Sequence, residues 1–366
     1  VRSRPDAIAL IDSETGEKYT YASLSKHVAI MANALIIAGV KPNDRVCLTI
    51  DRGPKEVISI LAILSAGATY LPLTKNQPKE RREKAINTMY VKYAIVDENE
   101  LYTNINTIMF VDSISNTDDS VFDFEPKYLD SDSAAYIILT SGTTGIPKGV
   151  EISHKGAMYT IIDVNKRINF TNQDVVLAVS SIDFDLSVYD MFGTFSGGGT
   201  LVVTGISHYR DALFWNNTLS KYNISIWNSV PLIFEMLLTV IEDTNSPLHL
   251  RAVMLSGDWI SSELYNRVAA INSTCRFIGM GGATEASIWS NWYEIKSKED
   301  LRSNYIPYGF ALNNQAYRII NSDLLDCPHY VTGELLIGGI GLAIDYCEDE
   351  KKTKEKFIYI DGQRWY

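Results

Sequence analysis

Hydrophobic residues recur at two different periods along the first part of the chain. Segments 24–35 and 57–64 carry apolar side chains at helical spacing, and Gly39 and Gly67 follow them as helix stops. Short, continuous apolar runs alternate with these helices, at residues 46–50, 69–73, 93–96 and 108–111. This order of elements predicts a largely parallel sheet with helices on both of its faces.

The pattern changes twice further along the chain. Residues 112–132 are polar and acidic, which predicts a surface connection into a strand at Tyr136. Further strands are expected at 175–179, 200–203, 224–227, 251–255 and 276–278. After residue 304, short β-type segments at 316–320 and 333–338 are typical of a smaller β-rich lobe. These changes predict a first α/β subdomain at 1–130, a second α/β subdomain at 131–304 and a β-rich lobe at 305–366.

The composition excludes several classes of protein. A chain of 366 residues with 46% hydrophobic residues can fill two or three packed lobes, which excludes wholesale disorder. The net charge of −11 argues against nucleic acid or an anionic membrane surface as the main partner. Four scattered cysteines without a C-x-x-C pair favour a reducing cytoplasm over a disulfide framework or a zinc site. No apolar run is as long as a membrane span.

A loop rich in glycine, serine and threonine follows the strand at Tyr136 and is closed by Pro147 and Lys148. Small residues let backbone N–H groups and hydroxyls approach an anion closely, and the lysine adds a positive charge. The spacing differs from the common P-loop, because proline rather than glycine stands five residues after Gly142. The loop predicts a nucleotide phosphate site, with a mobile turn as the alternative.

Acidic residues mark two further segments. Asp185 lies among apolar neighbours, so it is either a helix-capping residue or a carboxylate in an apolar pocket. A buried carboxylate needs a cation, and a substrate ammonium would serve. Asp183 and Asp190 are expected to be solvated or to cap helices. Glu285 follows a glycine-rich turn, where it either starts a helix or holds Mg²⁺ opposite a triphosphate.

Taken in this order, these segments closely resemble the adenylate-forming enzymes, specifically the amino-acid adenylation domains of non-ribosomal peptide synthetases. The resemblance covers essentially the whole chain and includes residues 19–24 and 64–73. It implies an α/β N-terminal core of the acyl-CoA synthetase and luciferase type, with two βαβ sheets flanked by helices and a small β-rich lobe. It also implies a reaction in two steps. A substrate carboxylate attacks the α-phosphate of ATP, and the aminoacyl group then passes to a phosphopantetheine thiol.

The resemblance assigns a role to each segment. The phosphate loop would be lined by Thr140, Ser141, Gly142, Thr143, Thr144, Gly145 and Lys148. Thr284 would lie beside the α-phosphate, and Glu285 would hold Mg²⁺. The adenine would be bracketed by Gly257, Gly281, Gly282 and Ala283. Asp185 would bind the α-ammonium group of an amino acid, which selects amino acids over fatty or aryl acids.

The side-chain pocket follows from the same resemblance. Its residues would be Asp185, Leu186, Tyr189, Asn228, Met254, Ser256, Met280, Ile288 and Trp289. This set is similar to the cysteine-activating type, with methionines where leucines are more usual. Serine is the nearest competitor, because an apolar pocket rejects an added hydroxyl poorly. Segment 281–289 is also similar to modules that go on to form thiazoline rings.

The chain starts at Val1 and ends at Tyr366, before two parts that the resemblance leads us to expect. These are an aspartate that binds the ribose and a small C-terminal lobe with the catalytic lysine. We therefore expect a core piece that forms adenylate poorly alone and works with carrier and condensation or cyclisation domains, with an MbtH-like protein as a further candidate partner. Two alternatives stay open: a ligase for an acyl or aryl acid, and a non-catalytic core that binds nucleotide or docks partner domains.

Overall fold

A computed structural model describes residues 3–97, 102, 105–110, 124–140, 147–301 and 303–366. The strands are β1 (Ile8–Asp12), β2 (Lys18–Thr20), β3 (Arg45–Thr49), β4 (Thr69–Pro72), β5 (Tyr93–Val96), β6 (Asn106–Met109), β7 (Ala134–Thr140), β8 (Lys148–Ser153), β9 (Val175–Ala178), β10 (Thr200–Val203), β11 (Ile226–Ser229), β12 (Ala252–Leu255), β13 (Arg276–Gly279), β14 (Asn291–Ile295), β15 (Phe310–Ala311), β16 (Gln315–Ile320), β17 (Glu334–Gly339), β18 (Asp345–Tyr346), β19 (Ile358–Ile360) and β20 (Gln363–Trp365). The α-helices are α1 (Tyr21–Ile37), α2 (Pro54–Ser65), α3 (Lys79–Thr88), α4 (His154–Arg167), α5 (Leu186–Val188), α6 (Thr194–Gly197), α7 (Ala212–Tyr222), α8 (Pro231–Thr244), α9 (Ser262–Ile271) and α10 (Glu350–Lys356).

A seven-stranded sheet has the order β18-β8-β7-β4-β3-β5-β6. Its strands β7, β4, β3, β5 and β6 run parallel, while β8 and β18 add an antiparallel hairpin partner and an edge. The predicted phosphate loop is the part of the chain that connects β7 to β8. Thr140 and Lys148 are register partners at the base of that loop.

A nine-stranded sheet has the order β15-β14-β13-β12-β11-β9-β10-β1-β2. Its central strands β13, β12, β11, β9, β10 and β1 are parallel, and antiparallel strands extend both ends. In open parallel sheets, ligands bind outside the carboxyl ends of the strands. The predicted pocket residues Asn228, Ser256 and Met280 lie at or just beyond such ends.

The main hydrophobic core lies between the two large sheets. Strand residues alternate between faces, so Leu48 of β3 and Leu201 of β10 both enter this central core, whereas Cys47 faces a different cluster. Helix α1 is capped by Thr20, whose side chain accepts from the Ser23 N–H, and it buries the apolar stripe that predicted it.

The third sheet is four-stranded and antiparallel, in the order β16-β17-β20-β19. Its four strands lie within residues 305–366, where the β-rich lobe was predicted, but β15 and β18 of the same segment join the two large sheets instead. Each large sheet also contains strands from both sides of the predicted boundary at residue 130. Strands β1 and β2 pair in the nine-stranded sheet, and β7 and β8 pair in the seven-stranded one. The limits of the three units stay a prediction.

Two predictions fall wholly or partly outside the described residues. The acidic connection predicted at 112–132 is described only from residue 124 onward, and the phosphate loop between Thr140 and Pro147 is not described. Across the described part of the chain, no helix combines the length and the apolar character needed to cross a membrane.

Candidate nucleotide and substrate site

Asp185 begins a continuous helical segment that runs through α5, a π-helical turn (Tyr189–Gly193) and α6. The side chain of Asp185 is buried, and its residue is 4% exposed. Burial raises the pKa of Asp185 to about 6, against the effect of a hydrogen bond from the Thr284 side chain. Asp185 makes no side-chain cap hydrogen bond to the helix that it precedes, although the N–H groups of Asp185 and Leu186 lie close enough to its carboxylate to lower its pKa. Of the two readings of this residue, the structure therefore favours the carboxylate in an apolar pocket.

Asp190 corrects the expectation that it is solvated or caps a helix. It is completely buried, and the Nδ2 of Asn228 donates to its Oδ1 at 2.8 Å. The expectation was wrong because the π-helical turn buries consecutive residues, so Tyr189, Asp190 and Met191 are all internal although they are adjacent. Asp183 is half-buried and accepts hydrogen bonds from Thr74 and Gln77.

The predicted pocket residues form one connected set. The rings of Tyr189 and Trp289 lie 4.9 Å apart between centroids, and Trp289 Nε1 donates to Ser256 Oγ at 2.9 Å. Asn228 donates to the carbonyl oxygen of Leu186 and is the register partner of Met254 on the next strand. All members are buried: Asp185, Leu186, Tyr189, Asn228, Met254, Ser256, Met280, Ile288 and Trp289.

The turn after β13 brings its own backbone segments close together, and this close approach requires glycine at residue 282. A Cβ atom at Gly282 would lie 2.9 Å from both Ser290 N and Trp289 Cα, so a side chain at this position would displace backbone. Ser287 and Ile288 then adopt φ angles of 57° and 75°. Positive φ is strained for a β-branched residue such as Ile288 and is often found at functional sites.

A cleft of about 410 Å³ opens beside this turn. It is lined by Gly257, Asp258, Trp259, Ile260, Gly279, Met280, Gly281, Asn291, Ile306, Pro307 and Tyr308. Gly257 has φ 82°, and a Cβ at Gly281 would lie 2.7 Å from Cε2 of Tyr308. Two of the four predicted adenine residues, Gly257 and Gly281, therefore line the cleft, while Gly282 and Ala283 lie in the adjoining turn.

Sequence reasoning missed two aromatic residues of this cleft. Tyr308 is 44% exposed and Trp259 is 77% exposed, although both are large and partly apolar. The available signal was their position next to glycines, Trp259 two residues after Gly257 and Tyr308 directly before Gly309. Flat rings beside glycines can accept a purine base by stacking.

Glu285 lies in a short 3₁₀ turn (Thr284–Ala286) and is buried. Its Oε1 accepts a hydrogen bond from Tyr346 Oη at 2.5 Å. Tyr346 belongs to β18, which pairs with β8, so the strand that leaves the phosphate loop and Glu285 are joined through one short strand. Sequence reasoning did not find Tyr346, because nothing local to residue 346 points to a partner at residue 285.

The fit of Mg²⁺ can be tested on these donors. Within the described residues, no group of three or more His, Cys, Asp or Glu side chains could hold a metal ion. A magnesium ion at Glu285 would therefore need oxygen ligands from outside the protein. Mg²⁺ is usually bound in that way, by one or two carboxylates with substrate phosphates and water.

At the phosphate loop, only the two ends lie within the described residues. Thr140 Oγ1 donates to the carbonyl oxygen of Lys148 at 3.5 Å, across the base of the β7–β8 hairpin. The predicted residues Ser141, Gly142, Thr143, Thr144 and Gly145 lie outside the described residues. Their assignment to phosphates stays a prediction.

The model for the family of AMP-binding enzymes matches residues 1–347. The chain belongs to this family. The match runs from the first residue through the phosphate loop, Asp185 and Glu285, so all the candidate site residues named above lie within it.

Two curated relatives resemble the chain along its whole length. The anguibactin system regulator of Vibrio anguillarum is 42% identical over 369 residues, which cover 100% of this chain and 35% of that protein. Pyochelin synthetase PchE of Pseudomonas aeruginosa is 36% identical over 370 residues, which cover 99% of this chain and 25% of that protein. The chain thus spans about a third or less of the length of these relatives.

Solved structures show the same architecture. The non-ribosomal peptide synthetase FmoA3 in its α-methyl-L-serine-AMP-bound form is 30% identical, with a TM-score of 0.92 over 100% of this chain and 41% of that one. Another crystal structure of FmoA3 gives 31% identity and a TM-score of 0.91, over 100% of this chain and 39% of that one. The predicted fold class, the α/β N-terminal core of an adenylate-forming enzyme, is confirmed.

Proposed function

We propose that this chain is the core of an ATP-dependent ligase that activates an amino acid, L-cysteine, as the aminoacyl adenylate. The observation that carries this proposal is the buried carboxylate of Asp185 beside Thr284. Burial disfavours the charge on Asp185, and a substrate ammonium would restore it. A simple acyl or aryl acid without an amino group would leave that carboxylate without a cation.

The contact between Asp185 and Thr284 also supports a reaction at this place. It joins the substrate segment to the glycine-rich turn of the proposed nucleotide site. An amino acid held at Asp185 would therefore present its carboxylate close to a nucleotide held along that turn. Since the carboxylate is already ionised at neutral pH, activation needs positioning and neutralisation of phosphate charge rather than a general base.

Each part of the site has a role in this proposal. The cleft at Gly257 and Gly281 takes the adenine, Lys148 and the preceding loop take the phosphates, and Glu285 contributes one carboxylate oxygen to Mg²⁺. The aminoacyl group would then pass to the phosphopantetheine thiol of a carrier domain. Carrier and cyclisation domains, and an MbtH-like helper, are proposed partners of the longer polypeptides that such cores belong to.

Cysteine is favoured by the small, soft and weakly polar surroundings of the pocket. Met254, Met280 and Trp289 are buried around it, and polarizable sulfur and aromatic groups pack well against a thiol. Asn228 and Ser256 offer polar atoms that a thiol could meet as a weak donor and acceptor. Serine remains the competing substrate, since its hydroxyl would meet the same atoms.

The test is calorimetric binding of stable aminoacyl-adenylate analogues in which a sulfamate replaces the phosphate. The cysteinyl, seryl and alanyl forms are compared, together with a benzoyl form that lacks the amino group. We expect the cysteinyl form to bind most tightly and the benzoyl form most weakly. Equal affinity for the three amino-acid forms would overturn the assignment to cysteine, and preference for the benzoyl form would overturn the assignment to amino acids.

A matched pair of variants locates the ammonium site. Asp185→Asn should weaken all three amino-acid analogues by roughly 100-fold, because an ammonium would then be buried without a counter-charge. Asp183→Asn changes the same functional group two residues away and should alter their affinities less than 3-fold. If both variants behaved alike, Asp185 would not be the ammonium site.

A further inference from the structure

The buried amide of Asn228 is held from one side by two acceptors. Its Nδ2 donates to Asp190 Oδ1 at 2.8 Å and to the Leu186 carbonyl oxygen at 3.3 Å. Asn228 lies on β11 and faces the central core, as Ile226 two residues earlier does. It therefore borders the cluster that contains Leu186, which directly follows Asp185, and Trp289.

The orientation of this amide is decided by its partners. The Leu186 carbonyl oxygen can only accept a hydrogen bond, so the NH₂ group and not the amide oxygen must face it. With the NH₂ group committed to Leu186 and Asp190, Oδ1 is turned away from both. The Oδ1 atom is completely buried and has no partner within the described residues.

A buried acceptor without a donor is unfavourable, and native proteins have few of them. Asp190 Oδ2 is also buried without a partner among the described residues. Two adjacent polar groups are thus fixed by each other while each keeps one atom unpaired. The described residues supply no donor for Asn228 Oδ1, so a bound water or a ligand would have to supply it.

The pair formed by Asp190 and Asn228 carries no negative charge that would need a counter-ion. Burial raises the pKa of Asp190 to about 8, against the effect of the hydrogen bond from Asn228 and the positive charge of Arg52. A neutral carboxyl group can accept from Asn228 without requiring a cation of its own. Asp190 is therefore suited to hold the amide in place rather than to bind a charged group.

We propose that Asp190 is a positioning residue for substrate selectivity, which fixes the Asn228 amide so that Oδ1 accepts a hydrogen bond from the substrate side chain. The inference rests on the proposed function, since it places an amino-acid side chain beside Asn228. The donor would be a thiol or a hydroxyl on the β-carbon of the amino acid. Asp190 itself does not touch the substrate.

The test compares affinity ratios rather than affinities. For each variant, calorimetry gives the binding constants of the cysteinyl, seryl and alanyl sulfamate analogues, and the alanyl form lacks any side-chain donor. Asp190→Ala should lower the preference for the cysteinyl over the alanyl form by about 5-fold and that for the seryl form by about 10-fold. Asp190→Asn keeps an oxygen acceptor of the same size and should keep both preferences within about 2-fold.

A double-mutant cycle shows whether Asp190 acts through Asn228. Asn228→Ala removes the acceptor and should abolish both preferences, and adding Asp190→Ala should then change nothing further. Should Asp190→Ala not fold, Asp190→Leu keeps the branching at Cγ without an acceptor and replaces it in the cycle.

The outcomes separate this inference from the proposed function. If the unmodified chain binds none of the three analogues, the proposed function fails. If it prefers the cysteinyl and seryl forms, and Asp190→Ala keeps those preferences or weakens all three analogues equally, Asp190 is merely structural and the inference is overturned.

Discussion

Asp185→Asn should make the unliganded chain more stable at neutral pH while it removes the proposed ammonium site. Burial holds the pKa of Asp185 at about 6, compared with 3.8 for an unperturbed aspartate. At pH 7 the folded chain must keep this group ionised in an apolar site, which costs ~3 kcal/mol relative to the unfolded chain. Asparagine keeps the shape and the oxygen that Thr284 contacts but carries no charge.

The sign of the effect fixes its pH dependence. Because the pKa of this acid is higher in the folded chain, the folded state binds the proton more tightly than the unfolded state does. Aspartate therefore destabilises the fold increasingly as pH rises from about 4 to about 6, and by a constant amount above that range. Below pH 4 the variant and the original chain should be equally stable.

Thermal unfolding from pH 4 to pH 8 measures this difference. We expect the Tm of Asp185→Asn to exceed that of the original chain by a few degrees at pH 7.5 and by nothing at pH 4. Asp243→Asn, at an exposed position of α8, is the control and should leave Tm unchanged at both pH values. A lower Tm for Asp185→Asn at pH 7.5 would refute the reasoning from burial.

Three further predictions concern the nucleotide side of the site. Tyr346→Phe removes the hydrogen-bond donor to Glu285. It should weaken binding of a non-hydrolysable ATP analogue roughly 5-fold when Mg²⁺ is present but little when Mg²⁺ is absent. An equal loss of affinity with and without Mg²⁺ would show that Tyr346 does not position the Glu285 carboxylate. Tyr308→Ala should weaken the same analogue by about 1 kcal/mol through lost stacking, and an unchanged calorimetric Kd would remove the cleft from consideration as the adenine site. Gly282→Ala should lower Tm by several degrees because its Cβ would meet backbone. The Cβ of Gly281→Ala would meet side-chain atoms, of the half-exposed Tyr308 ring and of Asn291, and should lower Tm less; equal losses of Tm would contradict this.

The sequence predicted elements well where local pattern decides them. Strands β5 and β10 were predicted with their observed bounds, because each is a short apolar run between polar or glycine residues. The pairing of β1 with β10 could not be predicted in this way, since the two strands are far apart in the chain and β1 gave no signal of its partner. That β1 and β2 join the nine-stranded sheet, and β7 and β8 the seven-stranded sheet, is therefore evident only from the structure.

The sequence predicted the site residues that lie within recognisable motifs. It did not predict those that reach the site only through tertiary packing. Asp185, Asn228 and Trp289 were named from the sequence, and the structure brings them into one connected set. Asp190 was misjudged because a polar residue in a helical segment is usually solvated, whereas this π-helical turn buries the consecutive residues 189–191. Tyr346 was missed because its partner, Glu285, lies on another element.

The edge strands of the two large sheets affect how readily these sheets could pair with strands of a neighbouring domain. Among the described strands, the nine-stranded sheet ends in β2 and β15, of three and two residues, and the seven-stranded sheet ends in β6 and β18, of four and two residues. Such short edges offer few unpaired backbone groups to a neighbouring strand. At these four edges, the two large sheets have little risk of edge-to-edge association with other domains or with copies of the same core.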